Sequence, residues 1–151
     1  MNIEIKKVLA RHELEKSKKA FKQALNIFQG NDSDLQLVVN RLYYTMFYAV
    51  NGLFITKDFM TSKHASARAI FIAEFVKKGL IDDDSGRFYS NMYNRRQEGD
   101  YTDIKKYQNV DIKDFKFTPT QFKREDVEEW IEKTKHFIEK IEQLVYKFLE
   151  R

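Results

Sequence analysis

Apolar residues recur at three- and four-residue spacings along most of this chain, the period of a helix with one buried face. Over residues 2–29 they fall at Val8, Leu14, Phe21, Leu25 and Phe28, which predicts a first helix. Gly30-Asn31-Asp32-Ser33 interrupts it, and Asp32 or Ser33 can cap the next one. The second segment, about 34–57, has the cleanest stripe: Leu35, Val38, Val39, Leu42, Met46, Val50, Leu53 and Phe54. Thr61-Ser62-Lys63 suits the start of a third helix over about 64–78, and Gly79 its end. Asp82-Asp83-Asp84-Ser85 then places negative charge where a fourth helix, about 83–100, begins. Residues 102–119 show no period, and an irregular stretch of that length is expected to serve function or to move. Thr118-Pro119 signals a last helix, about 120–150, with Val127, Trp130, Ile131, Phe137, Ile138, Ile141, Leu144, Val145 and Phe148 along one side. The pattern predicts an all-α, antiparallel up-and-down bundle of four to five helices in a single domain spanning 1–151.

Composition agrees with that pattern. The chain has 151 residues, enough to bury about 68–70% of its unfolded surface. Gly (5) and Pro (1) are scarce while Phe (13) and Tyr (8) are abundant, which favours long helices over loops. There is no Cys, which excludes disulfides and thiolate metal sites, and His12, His64 and His136 are scattered. No metal centre or cofactor is therefore expected. The N-terminal residues lack the apolar run of a signal peptide, and Leu42 to Thr56 is too short and too polar to span a bilayer. A cytoplasmic protein without membrane association is expected. The net charge of +4 is uneven: residues 1–30 carry seven Lys or Arg against three acids, whereas residues 120–151 carry seven against eight. A basic first helix can attract RNA or an acidic partner, or it can be a solvated lysine face.

The candidate chemistry lies in Asn94-Arg95-Arg96-Gln97-Glu98-Gly99-Asp100-Tyr101-Thr102-Asp103. Two adjacent guanidiniums with carboxylates and a phenol close by can form a phosphate clamp. The alternative is that Arg95 and Arg96 pair with Glu98, Asp100 or an acid of the first helix. Asp100 and Tyr101 can likewise form a hydrogen-bonded cluster with Arg41 or Tyr44 that fixes the bundle. Arg41, Tyr44 and Tyr48 share a face of the second helix, where the two rings can stack a base. Tyr43 and Phe47 suit the core. His12 and His136 suit solvated helix positions, and His64 is either a surface residue near a cap or an imidazole for proton transfer.

These motifs resemble a known family. Arg41-Leu42-Tyr43-Tyr44-Thr45-Met46-Phe47 is similar to the R-x-Y-Y-x-x-F signature of a prokaryotic branch of the HEPN family (higher eukaryotes and prokaryotes nucleotide-binding). Ser62-Lys63-His64 and Phe75-Val76-Lys77-Lys78-Gly79 resemble the opening and ending of its third helix. Arg96-Gln97-Glu98-Gly99-Asp100-Tyr101 is similar to its R-Q-x-x-D-Y motif. The resemblance spans roughly residues 8–150 and implies a helical bundle that forms a homodimer. It also implies a toxin acting on RNA, with a nucleotidyltransferase antitoxin as partner, or else a non-catalytic RNA- or nucleotide-binding and interaction module. Catalytic members of the family carry an Arg, a polar residue after it, and a His four to six positions after the Arg. Two such pairs meet across the dimer for metal-free cleavage by the RNA 2′-hydroxyl.

This sequence departs from that spacing. Asp100 stands five residues after Arg95 and Tyr101 five after Arg96. A phenol that titrates near 10 is a poor base at neutral pH, although it can donate a hydrogen bond to phosphate. The expected catalytic set is therefore Arg96, Arg95, Asp100, Tyr101 and His64, with Arg41, Tyr44 and Tyr48 binding substrate and no metal. Proton transfer would fall to Asp100, although a carboxylate repels the phosphate beside it, or to His64 if the fold brings it near the arginines.

Overall fold

The computed structural model describes residues 1–150 and contains five α-helices: α1 (Ile3–Phe28), α2 (Leu35–Thr56), α3 (His64–Phe71), α4 (Asp83–Asp100) and α5 (Arg124–Leu149). No strand occurs among the described residues. The all-α bundle expected from the sequence is thus the fold. α2 is its axis, packing against each of the other four helices. Its Val38, Val39, Leu42, Tyr43, Met46, Val50 and Leu53 are wholly buried, because a helix ringed by neighbours hides residues on nearly every side.

Of the large residues in the α1 pattern, only Leu14 is buried in the seam between α1 and α2. Ala10, Leu14, Ser17, Ala20 and Ala24 are the buried positions, whereas Val8 is 64% exposed. Small side chains let the two helices approach closely, and Ser17 Oγ donates to the Thr45 carbonyl at 2.6 Å across the seam. The larger Phe21, Leu25 and Phe28 pack at its edge, partly buried.

Three helix boundaries differ from the sequence expectation. The cap of α2 is Asp34, whose carboxylate accepts from Leu37 N at 3.0 Å. Ser33 instead donates to the Phe28 carbonyl and accepts from Arg124, tying the α1–α2 turn to the start of α5. The third helix is not regular to residue 78. It widens into a π turn over Ile72–Val76, closed by Lys77 N to the Ile72 carbonyl at 2.9 Å, and Gly79 reverses the chain at φ +77°. The widened turn lies against Gly86 of α4, where an added Cβ would stand only 2.9 Å from a Val76 methyl. Finally, α5 begins at Arg124 rather than beside Pro119. The chain before it stays non-helical so that Phe122 can reach the Trp130 ring, edge to face at 5.7 Å. Residues 101–123 otherwise hold two short 3₁₀ turns, Ile104–Tyr107 and Ile112–Asp114.

The fourth-helix expectation holds in detail: Asp82 caps α4, accepting from Ser85 N at 3.0 Å. α5 presents Val127, Ile131, Thr134, Phe137, Ile141, Val145 and Leu149 to the core. No helix among the described residues is long and apolar enough to cross a membrane.

Candidate functional site

α2, the start of α3 and the last turns of α4 converge on the ring of Tyr43. Tyr43 is fully buried in the middle of α2. Its hydroxyl lies 2.8 Å from His64 Nδ1, at the first position of α3. The Arg96 guanidinium of α4 lies over the same ring, 4.8 Å from its centroid, and 5.8 Å from that of Tyr44. His64 is walled by aromatic rings, with Phe47 at 4.4 Å, Tyr43 at 5.4 Å and Tyr44 at 5.5 Å between centroids. A histidine that the sequence places 32 positions before Arg96 thus shares one aromatic floor with it.

The electrostatics follow from that enclosure. Burial lowers the pKa of His64 below its ordinary 6.5, and the Arg96 charge lowers it further. The imidazole is accordingly neutral at physiological pH. Burial pushes Tyr43 up to about 12, with the nearby Tyr89 hydroxyl and the Arg96 charge acting the other way, so its hydroxyl keeps its proton. The 2.8 Å contact between two neutral groups can run in either direction. Tyr43 can donate to Nδ1, leaving the ring proton on Nε2, or Nδ1–H can donate to the Tyr43 oxygen, leaving Nε2 as a free base.

Arg96 itself is 5% exposed. Its Nη1 lies 3.6 Å from Asp100 Oδ2, a salt bridge too long for a strong hydrogen bond. Its Nε is buried and finds no partner among the described residues. The guanidinium is thus held by rings on one side and paired only loosely on another, which leaves its charge incompletely compensated. Asp100 is fixed from α2, where Asn40 Nδ2 donates to Oδ2 at 2.9 Å. The same Asn40 accepts, through Oδ1, from Arg41 Nε at 3.1 Å and Nη2 at 2.9 Å. Gln23 of α1 accepts from Arg41 Nη1 at 3.3 Å, so Arg41 bonds only to neutral amides. Its guanidinium lies 5.0 Å from the Tyr44 centroid, putting Arg41 and Arg96 on one tyrosine.

Arg41, Tyr44 and Tyr48 do share one face of α2: Arg41 meets Tyr44, and Tyr44 meets Tyr48 at 5.8 Å between centroids. Tyr48 also carries Lys16 of α1 over its ring at 4.7 Å. Two of the expected catalytic residues lie elsewhere. Arg95 turns to α5, where its guanidinium covers the Trp130 ring at 4.1 Å. Its pKa is lowered by burial, with Asp126, Glu98 and Glu129 opposing the shift. Tyr101, 68% exposed, follows the end of α4 and lines a separate cavity beside residues 102–120. His12 and His136 are exposed, as expected.

Sequence reasoning missed Arg68, Tyr93 and Asn40. Arg68 covers the Tyr93 ring at 4.4 Å, and Tyr93 meets Tyr43 edge to face at 6.1 Å. Arg68 stands four residues after His64 on one helix face, a spacing that could have exposed it. Tyr93 stands three before Arg96 on the same principle. Nothing in the sequence around Asn40 marks it as the link between Arg41 and Asp100. Among the described residues no three His, Asp or Glu side chains converge as metal ligands.

Comparison with known proteins agrees with the resemblance. The sequence profile of the HEPN domain matches residues 10–144. The chain is 35% identical over 111 residues to the UPF0332 protein of Thermotoga maritima, a match covering 74% of this chain and 73% of that protein. It is 33% identical over 88 residues to a candidate toxin of Methanocaldococcus jannaschii, MJ0142, covering 58% of each. A second candidate toxin of that organism, MJ0605, is 38% identical over 64 residues, covering 42% of this chain and 48% of the relative. The matched stretch spans about half the length of those two proteins. With a profile match over most of its length, this chain belongs to the HEPN domain family.

Proposed function

We propose that this chain is the toxin of a toxin–antitoxin pair and cleaves RNA without a metal ion, using Arg96 and His64. The observation that carries the reading is the placement of His64 and Arg96 on the one ring of Tyr43. The names of the two Methanocaldococcus relatives support the toxin role.

Arg96 holds a non-bridging oxygen of the scissile phosphate and stabilises the charge that grows there in the transition state. His64, neutral because of burial and Arg96, takes the proton of the 2′-hydroxyl through Nε2 while Nδ1–H rests on the Tyr43 oxygen. The 2′-oxygen attacks phosphorus and the 5′-oxygen leaves with a proton from water, after which His64 returns its own proton to solvent. The products are a 2′,3′-cyclic phosphate and a 5′-hydroxyl. Arg41, Tyr44 and Tyr48 bind the flanking nucleotides by charge and stacking. A homodimer would set two such sites side by side, and a nucleotidyltransferase antitoxin would restrain them.

The burial of Arg96 and the carboxylate of Asp100 3.6 Å away favour a second reading. An arginine this enclosed has little access to a scissile phosphate, which suits a non-catalytic RNA- or nucleotide-binding module. The test is incubation of a mixed RNA substrate with the protein in EDTA, beside His64→Ala and Arg96→Ala. Cleavage by the wild-type protein alone, with cyclic-phosphate ends, is expected. RNA binding by the wild-type protein with no cleavage would give the second reading the field.

A further inference from the structure

A cavity of about 740 Å³ opens between the end of α4 and residues 101–120, within the range of about 300–1,000 Å³ seen for small-molecule sites. Asp100 lines it and also pairs with Arg96, so the cavity adjoins the guanidinium site while being separate from it. From this lining we propose that the cavity binds a nucleobase, and specifically guanine. As a subsite for the base next to the scissile phosphate, it rests on the RNA-directed function proposed above.

The charge of the lining sets aside phosphate as the occupant. Glu98, Asp100 and Asp103 oppose the single ammonium of Lys106, and the C-terminal carbonyls of α4 add negative potential. The same lining offers aromatic surface. Tyr101 is 68% exposed and Phe117 50% exposed, while Tyr107 meets Phe117 at 6.1 Å between centroids. Rings left open beside a polar floor are the arrangement that stacks an unpaired base.

The floor is rich in unused acceptors. Gln36 donates one amide hydrogen to the Gly99 carbonyl and Gln97 one to the Tyr93 hydroxyl at 3.3 Å, and the oxygens of both accept no bond among the described residues. Asp103 makes no side-chain bond among the described residues. With three carboxylates against one ammonium, the lining favours a base that donates. Guanine presents N1–H and its 2-amino group side by side, a pair that a single carboxylate accepts in bidentate fashion. Its O6 on the same edge can take the Lys106 ammonium. Uracil offers one N–H between two carbonyls, which would face the acids unfavourably.

The test uses phosphate-free nucleosides, so that it does not depend on Arg96. In ¹H–¹⁵N spectra of the full chain, guanosine is expected to shift the amides of Tyr101, Thr102, Asp103, Lys106 and Tyr107. Uridine is expected to bind at least about tenfold more weakly, the discrimination of one good bidentate contact. Asp103→Asn should weaken guanosine about tenfold and leave ribose 5-phosphate, the probe of Arg96, unchanged. Equal shifts by uridine, no shift by guanosine, or an unaltered guanosine affinity in Asp103→Asn would each overturn the assignment. Shifts by N-acetylarginine amide in place of guanosine would overturn it in favour of a cationic protein side chain. RNA cleavage with no guanosine shift would remove the subsite alone, whereas guanosine shifts without any RNA or ribose 5-phosphate binding would remove the RNA reading and leave a guanine site.

Discussion

Arg95 and Arg96 are neighbours in sequence, yet they inhabit different environments. Successive residues on a helix point about 100° apart, so α4 directs one toward α5 and the other toward α2. Arg95 covers the Trp130 ring, a half-buried cation held by that stack, with Asp126, Glu98 and Glu129 acting on its charge from beyond ion-pair distance. Arg96 lies over Tyr43 and Tyr44 with one distant carboxylate and an unused Nε. The residue type is the same, but in the first case it fastens helices together and in the second it is left with binding capacity. Charge in the sequence therefore says little about function until its partners are counted.

The sharpest way to break that contrast is Arg96→Ala. Removing a donor aimed at transition-state charge should lower kcat/KM for RNA cleavage by about 10²–10³-fold, with the circular dichroism of the folded protein retained. Arg96→Lys should recover little of this, because an ammonium cannot reproduce the planar stack on Tyr43. His64→Ala should cost about 10²-fold in cleavage while RNA affinity in a filter-binding assay changes little, since its role is proton transfer. A large loss of affinity in that variant would instead mark His64 as a binding residue.

Arg95→Ala should do the reverse. Loss of its stack on Trp130 is expected to destabilise the fold by about 1 kcal/mol, a fall of about 2–4 °C in Tm, with cleavage rates unchanged. A selective loss of activity at unchanged Tm would erase the distinction between the two arginines.

The smallest expected effect is on pH dependence. The folded His64 has a pKa below its ordinary 6.5, so in acid the unfolded chain binds a proton that the folded chain resists. Stability should be insensitive to this group above pH 6.5 and decline as the pH falls through 6.5 toward the folded value. His64→Gln should remove that part of the decline in a series of thermal melts. By the same shift, the acid limb of kcat/KM should lie below 6.5 if the neutral imidazole is the base.

Much of the bundle was legible in the sequence because helical period, caps and breakers are local. The stripes of α2 and α5 and the acidic start of α4 came out as expected. The α1 seam did not, since the large apolar residues dominate its pattern while small ones make the closest approach. The start of α5 was placed too early, beside Pro119, because a proline signal marks a helix start only to within a few residues; the helix begins at Arg124, after Phe122 has packed on Trp130. In the site, Arg41, Tyr44 and Tyr48 were legible as one helix face, and Arg96 and Asp100 as one helix turn. Arg95 entered the expected set through adjacency to Arg96 and Tyr101 through the R-Q-x-x-D-Y resemblance, and the fold places both away from Tyr43.

The sequence by itself determined the helices, their apolar faces and the stock of cations and rings, because those properties depend on residues within a few positions of one another. Only the tertiary structure decided that His64 stands beside Arg96. That pairing needs α3 and α4 to meet over the same tyrosine of α2, and the packing of three helices around one buried ring is not encoded in any local spacing.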